Sequence, residues 1–177
     1  MRALISLVII AGVLTSCRAA DEREQPPLEV VPHVDLQRYT GLWYEIARYP
    51  NRFQKDCFGS RATYSLREDG RIGVLNECYK GSAEGKLKSA RGKARVIDEK
   101  SNAKLKVSFF WPFYGDYWII ELDEDYRYAV IGHPERKYLW ILSRDRTMDD
   151  ALYNKIMYRL ETVHKYDTSG ILRTSER

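Results

Sequence analysis

The sequence has little of the chemistry from which metal and catalytic sites are built. It contains 3 histidines and 3 cysteines in 177 residues, and His33, His133 and His164 are scattered. A zinc site needs several such ligands at close spacing. No G-x-S-x-G turn presents a nucleophile, and no glycine-rich loop opens a helix to hold phosphate. We therefore expect no enzyme activity, no metal and no cofactor.

A concentrated charge of one sign is also missing. Lys and Arg number 29 against 25 Asp and Glu, and the two signs are mixed along the chain. Nucleic-acid binding needs a basic patch, so this class of partner is not expected. The length is typical of one domain with a sizeable core.

A long apolar run occurs at the N-terminus, directly after Arg2. The run, ALISLVIIAGVLTS, is short for a membrane span and is typical of a signal peptide. It ends in LTSC, which resembles the lipobox of bacterial lipoproteins. That resemblance implies removal of residues 1–16 and acylation of Cys17. Arg18 after the cysteine then suggests the outer membrane, facing the periplasm. The alternative is an ordinary secretory signal with an incidental cysteine.

The segment from 17 to 33 is polar and contains prolines, so we interpret it as the lipidated cysteine and a flexible tether. The folded domain is expected to span 34–177. Cys57 and Cys78 remain after Cys17, in an exported and therefore oxidising compartment. We expect one disulfide between them, with two free thiols as the alternative.

Short alternating strands separated by turns dominate the domain. We count eight, without helices between them, which favours an all-β barrel or sandwich over a parallel fold. A helix is predicted to follow, with Thr147 as N-cap and one apolar face. That face comprises Leu152, Ile156, Leu160 and Val163. The tail after Gly170 could add a short ninth strand.

Alternate residues of a strand share a face, so each inward face can be predicted as a set. The first strand gives Trp43, Glu45 and Ala47, the sixth gives Tyr117, Ile119 and Glu121, and the eighth gives Trp140, Leu142 and Arg144. These faces are apolar and aromatic with a few polar groups. Two hypotheses stay open here: a cavity with placed polar groups, or a filled barrel whose polar groups satisfy one another.

Three motifs resemble the ordered signatures of the lipocalin family: GLWYEIARYP, GDYWIIELD and YLWILSR. The resemblance covers 34 to about 172 and is greatest to the branch of bacterial outer-membrane members and apolipoprotein D. It implies an eight-stranded antiparallel up-and-down β-barrel with one C-terminal α-helix packed outside. The signature residues would be Gly41, Trp43, Asp116 and Arg144. Trp43 would close one end, with Arg144 over it.

The same resemblance implies a fatty acid, a lysophospholipid or a similar membrane-derived lipid in the barrel, with its head near Tyr114 or Tyr117. The residues carried over as ligand contacts are Glu45, Tyr64, Asn76, Val107, Phe109, Trp111, Tyr114, Tyr117 and Trp140. Phe113 would join the aromatic residues at the mouth. The alternatives are a lipid-modifying enzyme, a haem or tetrapyrrole binder using His133, and a structural lipoprotein with a filled barrel. A homodimer is left open.

Overall fold

The eight strands and the C-terminal helix follow the predicted order, and a short helix before the first strand was not predicted. The computed structural model describes residues 25–174. The strands are β1 Gly41–Arg48, β2 Cys57–Leu66, β3 Ile72–Lys80, β4 Lys86–Val96, β5 Lys104–Phe110, β6 Phe113–Leu122, β7 Tyr128–Gly132, β8 Leu139–Ser143 and β9 Leu172–Arg173. The helices are α1 Leu36–Tyr39 and α2 Asp150–Thr162, with single turns of 3-10 helix at Arg52–Gln54 and Thr168–Gly170.

Antiparallel pairing of consecutive strands closes the sheet into a barrel. β1 pairs with β2 at one edge and with β8 at the other, so that eight strands form the wall. The predicted fold class is confirmed. The short β9 pairs with Ala47 and Arg48 at the C-terminal end of β1, beyond the residues of β1 that pair with β2.

The C-terminal helix packs outside the barrel through Ile156 and Leu160, which are buried. Two details of the prediction were wrong. Asp149 is the N-cap rather than Thr147, since its carboxylate accepts hydrogen bonds from the N–H groups of Ala151 and Leu152. Val163 is exposed because it follows the last helical residue and leaves the apolar face.

The chain before α1 is not a free tether over its described part. Leu28 and Val34 are buried, and the Val31 N–H donates to the Ile119 carbonyl over 3.0 Å. The Arg136 guanidinium also donates to the Pro26 carbonyl over 2.7 Å. The packed domain thus begins before the predicted boundary at 34, because a few apolar residues within a polar segment suffice to pack it. The predicted signal peptide and Cys17 lie outside the described residues.

None of the helices within 25–174 combines the length and the apolar character needed to cross a bilayer.

Candidate functional site

The interior of the barrel has two ends with different contents. We call the end at α1 the floor and the opposite end, bounded by the loops after β1, β3, β5 and β7, the mouth. Paired residues on neighbouring strands share a face, so the strand register shows which side chains point inward.

A β-bulge in β1 changes the inward face from the predicted one. Glu45 pairs with Leu142, but the register then shifts so that Ala47 pairs with Ile141 and Arg48 with Trp140. Ala47 therefore faces outward, contrary to the prediction, and Arg48 takes an inward position. A bulge adds one residue to a strand and reverses the alternation beyond it.

A second bulge, in β6, does the same to Glu121. The register shifts between Ile119 and Glu121, and Glu121 faces the outside of the barrel. Its Oε1 lies 2.7 Å from Arg159 Nε and 2.9 Å from His164 Nε2. The prediction that Glu121 faces inward was therefore wrong: it holds α2 and the chain after it against the sheet.

Trp43 and Arg144 form the floor as the resemblance implied. The Trp43 side chain is completely buried, and the Arg144 guanidinium lies 3.8 Å from its ring centroid, at cation–π distance. Arg144 also donates to the carbonyls of Leu42 and Thr40. Gly41 has a φ of +95°, and a Cβ there would lie 3.3 Å from Arg144 Nη1. Glycine is favoured on both counts.

Three tyrosine hydroxyls meet inside the barrel just above Trp43; we call Tyr39, Tyr64 and Tyr117 the tyrosine triad. Tyr117 Oη lies 2.8 Å from Tyr39 Oη and 2.9 Å from Tyr64 Oη. Burial raises the pKa of Tyr64 to about 12 and the pKa values of Tyr39 and Tyr117 well above the ordinary tyrosine value. The phenols, protonated at neutral pH like any tyrosine, therefore keep their protons to a higher pH than usual. Tyr117 belongs to the floor rather than the mouth, which corrects its predicted position.

The middle of the barrel is apolar and aromatic. Val107 and Phe109 face inward from β5 and are partly buried against the interior cluster. A Cβ on Gly92 would lie 2.9 Å from the Phe109 ring, so the absence of a side chain at this position makes room for that ring. Trp140 faces inward from β8, and its Nε1 donates to Gln54 Oε1 over 2.9 Å.

Glu45 is bound by neighbouring polar groups. Its carboxylate accepts hydrogen bonds from Gln54 Nε2 over 2.5 Å and from Thr174 Oγ1 over 2.7 Å. Arg48 Nε lies 3.5 Å from Glu45 Oε1. Burial nevertheless raises the pKa of Glu45 above its ordinary value. The position of Glu45 is therefore set by Gln54, Thr174 and Arg48.

The wall formed by β3 and β4 is different, because its inward residues near the mouth are exposed. Asn76 pairs with Ala62 and Ala90, and Ala62 belongs to the interior cluster, so all three face inward. Asn76 and Ala90 are nonetheless exposed, as is Lys88, which pairs with Cys78. Solvent therefore reaches the inner face at this level.

The aromatic residues at the β5–β6 turn are exposed at the mouth, and none of them belongs to the buried interior cluster. Trp111 is 84% exposed, and Phe113 is 76% exposed, at the tip of this hairpin. Tyr114 alternates with the inward-facing Gly115 and lies on the outer face, where the Arg95 guanidinium is 5.2 Å from its ring centroid. The predicted position of Trp111, Phe113 and Tyr114 at the mouth agrees with this hairpin tip, but Trp111 does not pack into the interior and Tyr114 faces away from it. Their contact with a ligand stays a prediction.

Asp116 lies on the same outer face, within 3.0 Å of Lys106 Nζ. The signature aspartate thus links β5 and β6 and takes no part in lining the interior.

The predicted disulfide between Cys57 and Cys78 is confirmed, with an S–S distance of 2.07 Å. Cys57 pairs with Lys80 rather than with Cys78 itself, and a bulge in β2 contributes to this register. The Cα atoms are 5.4 Å apart, within the usual range. The bridge joins β2 to β3 at the mouth.

His133 gives the haem hypothesis no support. Its Nδ1 accepts a hydrogen bond from the Glu135 N–H over 3.2 Å, and its ring packs edge-on against Tyr138. In the part of the chain that the structure describes, no group of three or more His, Cys, Asp or Glu residues could hold a metal ion.

The sequence did not single out four inward or near-interior residues: Tyr39, Arg48, Gln54 and Lys88. Tyr39 and Gln54 lie outside the predicted strands, in α1 and in the turn after β1. Arg48 faces inward only because of the bulge. Lys88 could have been found by extending the alternation of β4 from Ala94, since the two share a face.

Comparison with known proteins agrees with this barrel. The family model described as a lipocalin-like domain matches residues 34–176. The chain belongs to the lipocalin family. The temperature-induced lipocalin-1 of Arabidopsis thaliana is 42% identical over 162 residues, covering 86% of this chain and 85% of that protein. The outer membrane lipoprotein Blc of Escherichia coli K12 is 40% identical over 171 residues, covering 96% of this chain and 93% of that protein.

Solved lipocalin structures share the same architecture. Insecticyanin from the tobacco hornworm Manduca sexta superimposes with a TM-score of 0.69, covering 86% of each chain. Its sequence identity is 20%, so the likeness concerns the fold. A lipocalin barrel encloses a space between its strands, and eight strands suffice to hold one small ligand.

Proposed function

We propose that this lipocalin is a lipid-anchored carrier of the outer membrane that binds a single-chain amphiphile, such as a fatty acid or a lysophospholipid, inside its barrel. The main support is Asn76, a polar side chain that faces inward and is nevertheless exposed. It lies above an apolar and aromatic wall that includes Val107 and Phe109. An apolar lining with a few placed polar groups is typical of small-molecule sites.

The inner surface suggests how the ligand lies. Its acyl chain would pack against Val107, Phe109 and Trp140, which are partly buried against the interior cluster. Its head would remain at the mouth, where Asn76 and Lys88 face inward and are exposed. An ammonium there attracts a carboxylate or a phosphate. We therefore propose that the head lies on β3 and β4, away from Tyr114 and Tyr117.

Native mass spectrometry of the protein extracted from its own membrane tests the proposal. We expect a co-purifying lipid at one molecule per chain, released on denaturation. A purified protein that carries no lipid and does not bind added fatty acid would support a structural lipoprotein with a filled barrel instead.

We further propose that binding occurs without catalysis. The buried carboxylate inside the barrel, Glu45, is bound by Gln54 and Thr174, which leaves it poorly placed to act on a substrate. Incubation with a lysophospholipid should give stoichiometric binding and unchanged lipid. Steady release of fatty acid by the purified protein, abolished in a Glu45→Gln variant, would point to the lipid-modifying enzyme.

The anchor is proposed at Cys17, which lies outside the described residues. Support comes from the LTSC motif and from the similarity to a protein described as an outer membrane lipoprotein. Labelled palmitate should be incorporated into the wild-type protein, which should fractionate with the outer membrane. A Cys17→Ser variant should take up no label. Equal labelling of both proteins would contradict the assignment.

A further inference from the structure

The tyrosine triad has one more proton than its own hydrogen bonds can use. Within residues 25–174 the three hydroxyls make two hydrogen bonds, both between themselves, with Tyr117 in the middle. Each phenol carries one proton to donate. Whichever directions the two bonds take, one of the three O–H groups has no acceptor among the described residues.

That leftover donor faces the inside of the barrel. Tyr117 pairs with Leu105, which belongs to the interior cluster, and Tyr64 is buried in the same cluster. The Tyr39 and Tyr64 rings pack with centroids 5.5 Å apart, which fixes their hydroxyls beside Tyr117. A donor enclosed in this way requires an acceptor, because a buried polar group without a partner is costly.

The chemistry at the floor favours an uncharged acceptor over an anion. The phenols are protonated donors at neutral pH, as any tyrosine is, and burial raises their pKa values further. The Arg144 guanidinium lies over the Trp43 ring, and its N–H groups donate to backbone carbonyls, so its charge acts on Tyr39 but it donates no hydrogen bond to the triad hydroxyls. An anion placed here would lose its hydration without gaining a hydrogen bond from that guanidinium, whose donors are already used by carbonyls.

We propose that the tyrosine triad binds a neutral oxygen acceptor, such as a ketone, ester or ether oxygen, on the part of a lipid ligand that reaches the floor. This inference rests on the proposed carrier function and narrows its ligand class. The preferred lipids have a polar head at the mouth and a second, uncharged oxygen farther along the chain. A simple saturated chain leaves the third proton of the triad unused.

A matched set of probes tests this: hexadecanoic acid and keto-hexadecanoic acids with the carbonyl at successive positions toward the methyl end. Dissociation constants are measured for the wild type, for the triple variant Tyr39→Phe, Tyr64→Phe, Tyr117→Phe, and for Tyr158→Phe. Tyr158 lies on the outer helix and is 67% exposed, so its variant is a control for loss of a phenol. The triple variant keeps all three rings.

We expect at least one keto isomer to bind the wild type and Tyr158→Phe about three- to tenfold tighter than hexadecanoic acid, the value of one net hydrogen bond. The triple variant should lose this preference or reverse it while still binding hexadecanoic acid. The infrared stretch of a ¹³C-labelled ketone should shift to lower frequency on binding the wild type. This infrared measurement on the wild type does not depend on the folding of the triple variant.

The outcomes separate the two proposals. If every keto acid binds the wild type no better than hexadecanoic acid and its carbonyl stretch is unchanged, water satisfies the triad and this inference is wrong, while the carrier function stands. If an equal preference for the keto acid persists in a folded triple variant, the acceptor binds elsewhere. If no probe binds the wild type, the carrier function fails and the inference fails with it.

Discussion

The floor and the mouth of the barrel use the same residue types for opposite purposes. Trp43 at the floor is completely buried under Arg144, whereas Trp111 at the mouth is 84% exposed. Depth in the barrel, rather than residue type, decides whether an aromatic side chain supports the fold or borders the opening.

Polar groups differ in the same way. The hydroxyls of Tyr39, Tyr64 and Tyr117 are buried and bonded to one another. At the mouth, Asn76 and Lys88 face inward and are open to solvent. The floor therefore depends on internal contacts for its geometry, whereas the polar groups of the mouth stay open to solvent.

Replacing one tryptophan at each end should give the largest difference in stability between the floor and the mouth. Trp43→Ala should lower the free energy of unfolding by about 3–5 kcal/mol, because a large buried side chain leaves a cavity. Trp111→Ala should change it by less than about 0.5 kcal/mol, as is usual for an exposed residue. Urea unfolding followed by circular dichroism measures both. Similar losses in the two variants would show that the floor and the mouth are equally structural.

Removing the disulfide tests how much the bridge at the mouth contributes to stability and to fatty-acid binding. Cys57 and Cys78 are separated by 21 residues, and closing a loop of this size should stabilise the fold by about 3 kcal/mol. The double variant Cys57→Ser, Cys78→Ser should therefore unfold at lower urea than the wild type. The free energy of fatty-acid binding should change by less than the free energy of unfolding does. An unchanged urea midpoint would mean that other contacts order this rim.

The sequence predicted the fold well because the fold depends on features that sequence expresses directly. Strand alternation, turn residues and the signature Trp43–Arg144 pair all follow from local composition or from the family resemblance. The same holds for α2, although its N-cap is Asp149 and not the predicted Thr147. These features are redundant, so an error at one residue leaves the architecture unchanged.

The candidate site was predicted less well, and the β-bulges explain much of the difference. A single extra residue in β1 turned Ala47 outward and Arg48 inward, and another in β6 turned Glu121 outward. Alternation has a period of two, so it cannot show where a strand gains a residue. Tyr39 was missed for another reason, since it enters the barrel from α1 and belongs to no strand.

Alkaline pH should destabilise the fold, in part through the tyrosine triad at the floor. A phenol whose pKa is raised by folding stabilises the native state fully below the ordinary tyrosine pKa, about 10, and this contribution is lost as pH rises toward the folded value. For Tyr64 that value is about 12. The urea midpoint of the wild type should therefore fall as pH rises above about 10.

The triple variant Tyr39→Phe, Tyr64→Phe, Tyr117→Phe identifies the source of that fall. It should lose less stability between neutral and alkaline pH than the wild type does. Some dependence should remain, because burial also raises the pKa of Tyr166, outside the barrel, to about 12. Parallel curves for the two proteins would show that the triad does not govern the alkaline transition.

The smallest expected effect belongs to the mouth, at Lys88. Because its ammonium is exposed, an interaction with a carboxylate head should contribute only about 0.2–1 kcal/mol. Lys88→Met should therefore weaken fatty-acid binding by up to about fivefold, and added salt should reduce the difference between the two proteins. Lys86→Met is the matched control, since Lys86 is exposed on the same strand, two residues nearer the rim. Titration calorimetry at two salt concentrations measures both variants. An equal loss in both would indicate a diffuse charge effect, whereas a loss confined to Lys88 would place the head group beside β4.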